Sequence, residues 1–173
     1  MTSAITFVLV LSVCAPFCNQ AKRGEMLESW ETANEALRIR ISSYDQAGAY
    51  LRGTYYVFDA APIGSTSWTQ IMTVRHDDRP EIPKDQIRFV DSKTAYVFMT
   101  WMFAITLDGG ESWHVWSAED DLPGWRCCNY KLISDVRIQL DGSGIMTLAP
   151  ISNQRGEPHA LSTRDYGVTW TTN

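Results

Sequence analysis

The stretch 106-TLDGGESW-113 is the most informative part of this chain, because it returns near the C-terminus as 163-TRDYGVTW-170. Both stretches have the order Thr-x-Asp-x-Gly-x-Ser/Thr-Trp. An acceptor side chain, a glycine and a large aromatic residue at these spacings predict a tight turn between two strands. A turn that is repeated within one chain predicts a structural unit that is repeated with it.

Each position of the stretch has a structural role in such a turn. The aspartate can accept backbone N–H groups, and the glycine allows a positive φ that a side chain would disfavour. The threonine ends the strand before the turn, and the tryptophan buries a large ring beneath it. We therefore expect a structural corner here and not a ligand site. The residues in these roles are Thr106, Asp108, Gly110, Trp113, Thr163, Asp165, Gly167 and Trp170.

Short strand-like runs surround both stretches. Trp113 and Trp170 lie 57 residues apart, and the same order of strand, turn, strand, loop and strand precedes each stretch. A third and degenerate unit, roughly residues 37–75, has strands and a turn from Gly64 to Trp68 but lacks the aspartate. Short strands separated by turns at this spacing predict an all-β sandwich or propeller.

The two stretches match the Asp-box, also called the bacterial neuraminidase repeat. The run 87–113 also resembles one blade of the Asp-box β-propellers, which include sialidases, sortilin-type receptors and propeller-type photosystem II assembly factors. The resemblance covers the box twice and, more loosely, about residues 85–173. It implies a partial propeller of about three four-stranded blades with the boxes at its outer rim. It does not specify a function, because enzymes, receptors and assembly factors all carry the box.

The segment 24–37 predicts an N-terminal helix in front of the propeller-like domain, residues 38–173. Met26, Trp30, Ala33 and Leu37 fall on one stripe at helical spacing, and the interior of the segment lacks proline and glycine. We expect this helix to pack its stripe on the domain or to cover one end of it.

Residues 1–20 are uncharged and contain an apolar run of about ten residues. The run is typical of a signal peptide, and a buried strand or helix is the alternative. Cys14 follows a sequence that resembles a bacterial lipoprotein box, while Cys18 fits less well. Secretion as a soluble protein and lipid anchoring at the membrane both remain open. In either case we expect an exported protein of the periplasm or cell envelope.

Charge and composition argue against several classes of function. The net charge is −5 and the chain has no basic cluster, so nucleic acid is not an expected partner. His76, His114 and His159 lack a metal-ligand spacing, and the acidic run 119–121 lacks the alternation of a calcium loop. We expect no metal and no cofactor.

No catalytic constellation is visible in the sequence. Sialidases use a trio of arginines, a tyrosine with a glutamate partner and an acidic residue, and their first arginine lies in an Arg-Ile-Pro motif. The nearest echo here, 79-RPEIP-83, lacks that motif. The sequence therefore predicts a non-enzymatic binding or assembly module. The alternatives are a carbohydrate-active protein, either a glycan binder or a sialidase-like remnant, and an envelope inhibitor or immunity protein.

Aromatic residues outside the boxes indicate a binding surface. Trp101 lies in a tight turn, and Trp116, Trp125 and Tyr130 lie in or beside a long loop. Such residues suit a protein partner or a glycan, and core packing is the alternative for most of them.

Two further features of the chain leave alternatives open. Cys127 and Cys128 can form a disulfide between neighbours or stay as free thiols. Three blades are also fewer than closed propellers have, so the stack is either open and capped or completed by a second subunit, as in a homo-oligomer.

Overall fold

The computed structural model describes residues 23–46, 53–77, 81–82, 84–122, 131–150 and 157–172. Over these residues the protein is all-β, with three four-stranded antiparallel sheets. The leader at 1–20 lies outside the described residues. So do the cysteines and two of the aromatic residues of the predicted sites: Cys14, Cys18, Trp125, Cys127, Cys128 and Tyr130.

Each sheet is a meander in which consecutive strands pair. The first sheet contains β1 (Arg23–Ala33), β2 (Leu37–Gln46), β3 (Thr54–Pro62) and β4 (Thr69–His76). The middle sheet contains β5 (Ile87–Phe89), β6 (Ala95–Met99), β7 (Met102–Thr106) and β8 (His114–Ser117), with a 3-10 turn at Lys84–Gln86 before it and the short helix α1 (Ala118–Asp121) after it. The last sheet contains β9 (Lys131–Ile138), β10 (Gly144–Pro150), β11 (His159–Thr163) and β12 (Thr171–Thr172).

The predicted N-terminal helix over 24–37 is wrong, because this segment forms β1 and the start of β2. Asn34 turns the chain between the two strands: its Oδ1 accepts the N–H groups of Ala36 at 2.9 Å and Leu37 at 2.8 Å. Trp30 then lies opposite Ile41 in the ladder. The segment is a strand despite its helical pattern because β2 supplies a long ladder of hydrogen bonds. Such tertiary pairing can override local propensity.

The three sheets stack so that two apolar cores form between them. The first core lies between the first and middle sheets, and the second lies between the middle and last sheets. Strand β6 supplies both cores, because successive side chains of a strand point to opposite faces: Val97 enters the first core, and Tyr96 and Phe98 enter the second. We call the face of a sheet that is turned toward the earlier part of the chain its leading face, and the opposite one its trailing face.

Candidate interaction surface

The turn between β7 and β8 is held by hydrogen bonds that converge on Asp108. Its Oδ1 accepts the hydroxyl of Thr106 at 2.7 Å and the backbone N–H of Ser112 at 3.0 Å. Its Oδ2 accepts the hydroxyl of Ser112 at 2.5 Å, and the Oγ1 of Thr106 accepts the N–H of Gly110 at 2.8 Å. The bonds from Ser112, aided by the one from Thr106, lower the pKa of Asp108 to about 2.

The turn between β11 and β12 repeats this network around Asp165. Its Oδ1 accepts the hydroxyl of Thr163 at 2.7 Å and the N–H of Thr169 at 2.9 Å, and its Oδ2 accepts the hydroxyl of Thr169 at 2.6 Å. The Oγ1 of Thr163 accepts the N–H of Gly167 at 2.8 Å. Burial works to raise the pKa of Asp165, but the bonds from Thr169 and Thr163 outweigh it and leave the pKa lowered.

The glycines of both turns lie close to the sheet that precedes them in the chain. A methyl group added to Gly110 would lie 2.5 Å from Cδ1 of Leu37 in the first sheet. A methyl group added to Gly167 would lie 2.9 Å from Cζ of Phe103 in the middle sheet. These glycines therefore permit a close approach between neighbouring sheets as well as a positive φ.

The tryptophans that end the two turns also pack on the preceding sheet. Trp113 packs against the first core and Trp170 against the second. The ring of Trp170 meets that of Phe103 edge to face, with 5.5 Å between the centroids. The Nε1 atoms of both tryptophans are buried and make no hydrogen bond to the described residues. The turns thus lock one sheet onto the next.

The turn of the first sheet, 61-APIGSTSW-68, has the same length and ends in the same residue, Trp68. Ala61 and Ile63 stand where the other two turns have threonine and aspartate, so the carboxylate network is missing. Gly64 has a φ of +80°, and the equivalent positions of the other turns also have a positive φ. Ser65 replaces the carboxylate locally: its Oγ accepts the N–H of Ser67 at 3.1 Å.

Trp68 differs from the other two tryptophans in its surroundings. No described sheet precedes the first sheet, so the ring lies on a leading face that no other described sheet covers. Two guanidinium groups cover it instead: Cζ of Arg38 lies 4.6 Å and Cζ of Arg40 lies 4.2 Å from the ring centroid. Both arginines come from β2, where 37-LRIRI-41 alternates apolar and basic residues. Cation–π attraction holds this arrangement together.

Carboxylates neutralise part of this positive charge. Arg40 Nη2 lies 2.9 Å from Oδ2 of Asp59, whose side chain is only 13% exposed. Arg38 Nη1 lies 3.3 Å from Oε1 of Glu31, and Arg38 also donates to the backbone oxygen of Ser65. All these contacts are made by Nη atoms, so the Nε atoms of both arginines stay buried without a hydrogen-bond partner among the described residues. Such donors are costly to leave unpaired.

Arg75 extends the same face at its outer strand. Arg75 lies opposite Tyr55 of β3. Tyr55 and Asp59 are four residues apart, so they point to the same face of the sheet, and Arg75 points there with them. Its Nη2 lies 3.4 Å from Oδ1 of Asp77, which is 88% exposed, and its Nε is also buried without a partner among the described residues. We call the group Glu31, Arg38, Arg40, Asp59, Trp68 and Arg75 the arginine–tryptophan surface.

The composition of the sheet faces sets this surface apart from the interior. Positions in the three sheets are equivalent when they have the same place in the strand ladder, counted back from the turn that ends in tryptophan. The leading face of the middle sheet has Ala95, Val97, Met99 and Ala104, and that of the last sheet has Gly144, Met146, Leu148 and Leu161. The first sheet has Arg38, Arg40, Ser42 and Asp59 at these positions. Sequence reasoning missed this surface, although the alternation in β2 and the in-register turn were visible.

The outer face of the last sheet mixes polar and apolar side chains and lacks the arginine pair of the first sheet. Ile145, Thr147, Ala160 and Ser162 occupy positions that are Tyr96, Phe98, Phe103 and Ile105 in the middle sheet. Arg137 on this face donates to Asp135 at 2.7 Å. The two ends of the stack therefore differ: one has two arginines over a tryptophan, and the other has an exposed isoleucine among smaller side chains.

The remaining predicted aromatic residues do not form a surface together. Trp116 is 4% exposed and packs in the second core on β8, so the structure places it inside the protein. Trp101 is half-buried against the same core, in the two-residue turn between β6 and β7. Its backbone oxygen accepts the N–H of Ala118 at 3.0 Å.

An opening of about 430 Å³ lies between the first strands of the middle and last sheets. It is lined by Arg88, Tyr96 and residues 135–138. The hydroxyl of Tyr96 donates to the backbone oxygen of Val136 at 2.9 Å, and burial raises the pKa of Tyr96. A tyrosine in this state is a poor nucleophile, because its phenolate is disfavoured and its proton is held by a backbone oxygen instead of a general base.

A second opening of about 630 Å³ is lined by Glu28, Ile82, Asp85 and two neighbouring residues. Within the described ranges, no three His, Cys, Asp or Glu side chains are placed to hold a metal ion. The helices of those same ranges are all too short or too polar to cross a membrane.

Comparisons of the chain with protein-family models, with curated proteins and with solved structures give no match. The function is therefore inferred from the geometry of the sheets and their exposed faces.

Proposed function

We propose that this protein is an exported binding or assembly module of the cell envelope, without catalytic activity, and that its arginine–tryptophan surface is where it binds. The observation that carries the proposal is the place of Trp68. It stands in register with two tryptophans that pack on a preceding sheet, yet its own ring packs beneath Arg38 and Arg40. Arginine and tryptophan are among the residues most enriched where protein partners bind tightly.

The proposed architecture is a partial β-propeller of three Asp-box blades. Three observations support it: each sheet is a four-stranded meander, the sheets stack through alternate faces of β6, and the two aspartate turns join the third strand to the fourth. Three blades are fewer than the four to eight of closed propellers, so this stack has two terminal faces. Terminal faces that are polar keep such a stack soluble.

The absence of catalysis is supported by the state of the titratable groups. Tyr96 donates to a backbone oxygen, and its pKa is raised and not lowered. Asp108 and Asp165 are fully engaged in holding their turns. A general base or nucleophile needs a pKa matched to its task and a reacting group within reach.

The test is affinity capture. The full chain, produced with its leader so that export and processing occur, is tagged at the C-terminus and recovered from envelope extracts of the source cells. We expect a protein partner at a stoichiometric level by mass spectrometry. The control is the tag on an unrelated exported domain. Recovery of no stoichiometric partner, in extracts where the protein itself is intact, would contradict the proposal.

A carbohydrate-binding role is the second candidate, and one observation favours it. The 430 Å³ opening is lined by Arg88 and by the pair of Arg137 and Asp135, whose side chains lie 2.7 Å apart. Arg88 is thus the cation that an acidic sugar would meet there. A glycan array with the purified chain tests this role. Binding that Arg88→Gln abolishes, while Arg38→Gln leaves it unchanged, would place function at the opening and not at the arginine–tryptophan surface.

Export and lipid anchoring stay predictions from residues 1–20. Labelling with a fatty-acid analogue tests the anchor: we expect uptake in the full chain if Cys14 or Cys18 is acylated. Label that persists in the Cys14→Ser, Cys18→Ser double variant would show that the anchor idea is wrong. An unlabelled protein in the periplasmic fraction would instead favour soluble secretion.

A further inference from the structure

We propose that the outer edge of β1 receives an extended segment of another protein, which adds a strand to the first sheet and places a lysine or arginine side chain in the 630 Å³ opening beside Glu28. This inference goes beyond the proposed function, because it concerns an edge of the first sheet and not the arginine–tryptophan surface. It is carried by the backbone of β1 and by the carboxylates that line the opening.

β1 is an edge strand whose outer side has no partner among the described strands. It pairs only with β2, and in its regular part, from Glu28 to Ala33, every residue has a partner there. Outside the sheet ladders, none of the backbone-to-backbone hydrogen bonds of the described residues involves β1. An edge strand of this kind presents a row of backbone N–H and C=O groups that a further strand can bond.

The first strands of the other two sheets offer less of such an edge. β5 is only three residues long. In β9 the backbone N–H of Ile133 donates to the backbone oxygen of Thr100 at 2.6 Å, so the preceding sheet occupies part of that edge. No described sheet precedes the first one, and Glu28 and Ser29, which point to opposite faces of β1, are both exposed. Of these three strands, β1 has the longest edge without a described partner.

The 630 Å³ opening lies on the side of β1 that faces the middle sheet. Glu28 shares this side with Trp30, which lies two residues further along the strand and packs against the first core. The other wall is formed by four residues that precede the middle sheet: Glu81, Ile82, Lys84 and Asp85. Because side chains of a strand alternate between its faces, every second residue of a strand added to β1 would point to this side.

The charge of the opening specifies which side chain it takes. Three carboxylates, those of Glu28, Glu81 and Asp85, and one ammonium group, that of Lys84, line it. All four side chains are exposed, and none forms an ion pair with another residue in the described part of the chain. Three negative groups and one positive group leave a surplus of negative charge, which favours an incoming cation.

The edge and the opening together match the way in which proteins recognise extended segments by strand addition. In that mode the main-chain hydrogen bonds supply affinity, and sites for alternate side chains supply specificity. A lysine or arginine suits this opening because its aliphatic stem can lie along Ile82 while its charged end reaches the carboxylates.

A symmetric dimer through β1 does not fit the same edge. Two β1 strands side by side would bring their glutamates at 25, 28 and 31 near one another. Arg23, the one basic residue of the strand, lies beyond the register shifts that precede Glu28. Since like charges brought together oppose association, the edge favours a basic strand of a different protein.

The test begins with a library of random nine-residue peptides displayed on phage, selected on the purified full chain. We expect the enriched peptides to have lysine or arginine at alternate positions among β-branched or aromatic residues, which favour strands. A synthetic peptide with the enriched sequence is then added to the chain, and amide hydrogen exchange is measured. Exchange in residues 28–33 should slow at least about tenfold, because the added strand bonds the outer N–H groups of β1.

Charge variants complete the test, with dissociation constants from fluorescence anisotropy of the labelled peptide. The double variant Glu81→Gln, Asp85→Asn leaves β1 unchanged and should weaken binding about fivefold, since exposed ion pairs are individually weak. Asp120→Asn, which alters an exposed carboxylate in α1, should leave the dissociation constant unchanged.

Four results would overturn the inference. They are a selection that enriches no sequence, enriched peptides without basic residues, exchange that slows only outside residues 28–33, and a dissociation constant that the double variant does not change. The exchange measurement uses the unaltered chain, so misfolding of a variant cannot mimic a negative result.

The proposed function and this inference fail in different ways. A stoichiometric partner in affinity capture, without any enriched peptide, leaves the binding module standing and removes only the site at β1. Enriched basic peptides that protect residues 28–33, without any captured partner, would support the site at β1 and contradict the proposed function.

Discussion

The aspartate turns at 106–113 and 163–170 and the turn at 61–68 are the same length and end in the same residue, but they do opposite things. The two aspartate turns hold a carboxylate in matching networks and press a tryptophan against the sheet before them. The third turn has Ile63 in place of the aspartate, and its tryptophan lies under two arginines. The two turns that pack on a preceding sheet have the full hydrogen-bond network. The turn of the first sheet, at the end of the stack, lacks the network and contributes to a polar surface.

The largest expected effect separates the tryptophans that pack on an apolar core from the one that packs on arginines. Trp170→Ala removes a ring that packs on Phe103 and the second core, and we expect the free energy of unfolding to fall by about 3–5 kcal/mol. Trp68→Ala removes a ring held mainly by two guanidinium groups and should lower it by about 1–2 kcal/mol. Urea unfolding followed by circular dichroism measures both. Equal losses would remove the distinction between the two kinds of turn.

Two neighbouring glycines in one turn provide a test of whether the turn packs tightly on the preceding sheet. Gly110 and Gly109 both have a positive φ, at +92° and +76°. A methyl group on Gly110 would lie 2.5 Å from Leu37, whereas one on Gly109 would meet no atom within 4 Å. Gly110→Ala should therefore destabilise the protein by about 2–4 kcal/mol and Gly109→Ala by about 1 kcal/mol. If the two variants unfold at the same urea concentration, the turn does not press on the first sheet.

Acid should weaken the aspartate turns. Asp108 has a pKa of about 2 in the folded protein against an ordinary value of 3.8, and the hydrogen bonds from Ser112 are the largest cause. A lowered pKa in the folded state stabilises the fold above the unfolded value, and this contribution is lost as the pH falls. The free energy of unfolding should therefore decrease between about pH 4 and about pH 2.

The matched variants are Asp108→Asn and Asp120→Asn, the latter an exposed carboxylate in α1. Asp108→Asn should unfold more readily near neutral pH and show a smaller further loss of stability in acid, because Asp165 still titrates. Asp120→Asn should keep the full acid dependence. Identical pH profiles for all three proteins would argue against the carboxylate network as the source.

The smallest expected effect comes from rebuilding the network in the third turn. Ile63 is 48% exposed and stands where the other turns have aspartate, and Ser67 stands where Ser112 donates to Asp108. Ile63→Asp should raise the free energy of unfolding by about 0.5–1 kcal/mol, since a new acceptor forms and an exposed apolar side chain is removed. Ile63→Asn is the uncharged control. A loss of stability would show that the third turn differs in geometry and not only in composition.

Much of the fold could be predicted from the chain. The all-β class and the four-stranded unit follow from short strand-like runs between turn residues. The same order of strands before Trp113 and before Trp170 gives the number of units. The first strand of the first unit has the pattern of a helix, because Met26, Trp30, Ala33 and Leu37 share a helical stripe. Pairing between β1 and β2 decides that segment, and pairing is not visible in local periodicity.

The candidate surface is harder to foresee. The sequence favours a surface position for Trp116, but this residue lies in the second core, because β8 is the fourth strand of a sheet covered by the last one. Arg38 and Arg40 have the pattern of the polar side of an ordinary alternating strand. Only their position over Trp68 makes them part of one surface with Asp59.

The hydrogen bonds of the two aspartate turns join residues at most four positions apart, so local chemistry along the chain is enough to specify them. What each tryptophan packs against is not decided by the residues near it in the chain. Trp113 and Trp170 pack on an apolar core because a sheet stands before theirs, and Trp68 packs under arginine because no described sheet stands before its own. The surroundings of a side chain depend on which part of the chain packs on its sheet face. The stacking order of the sheets, which only the tertiary structure shows, decides this.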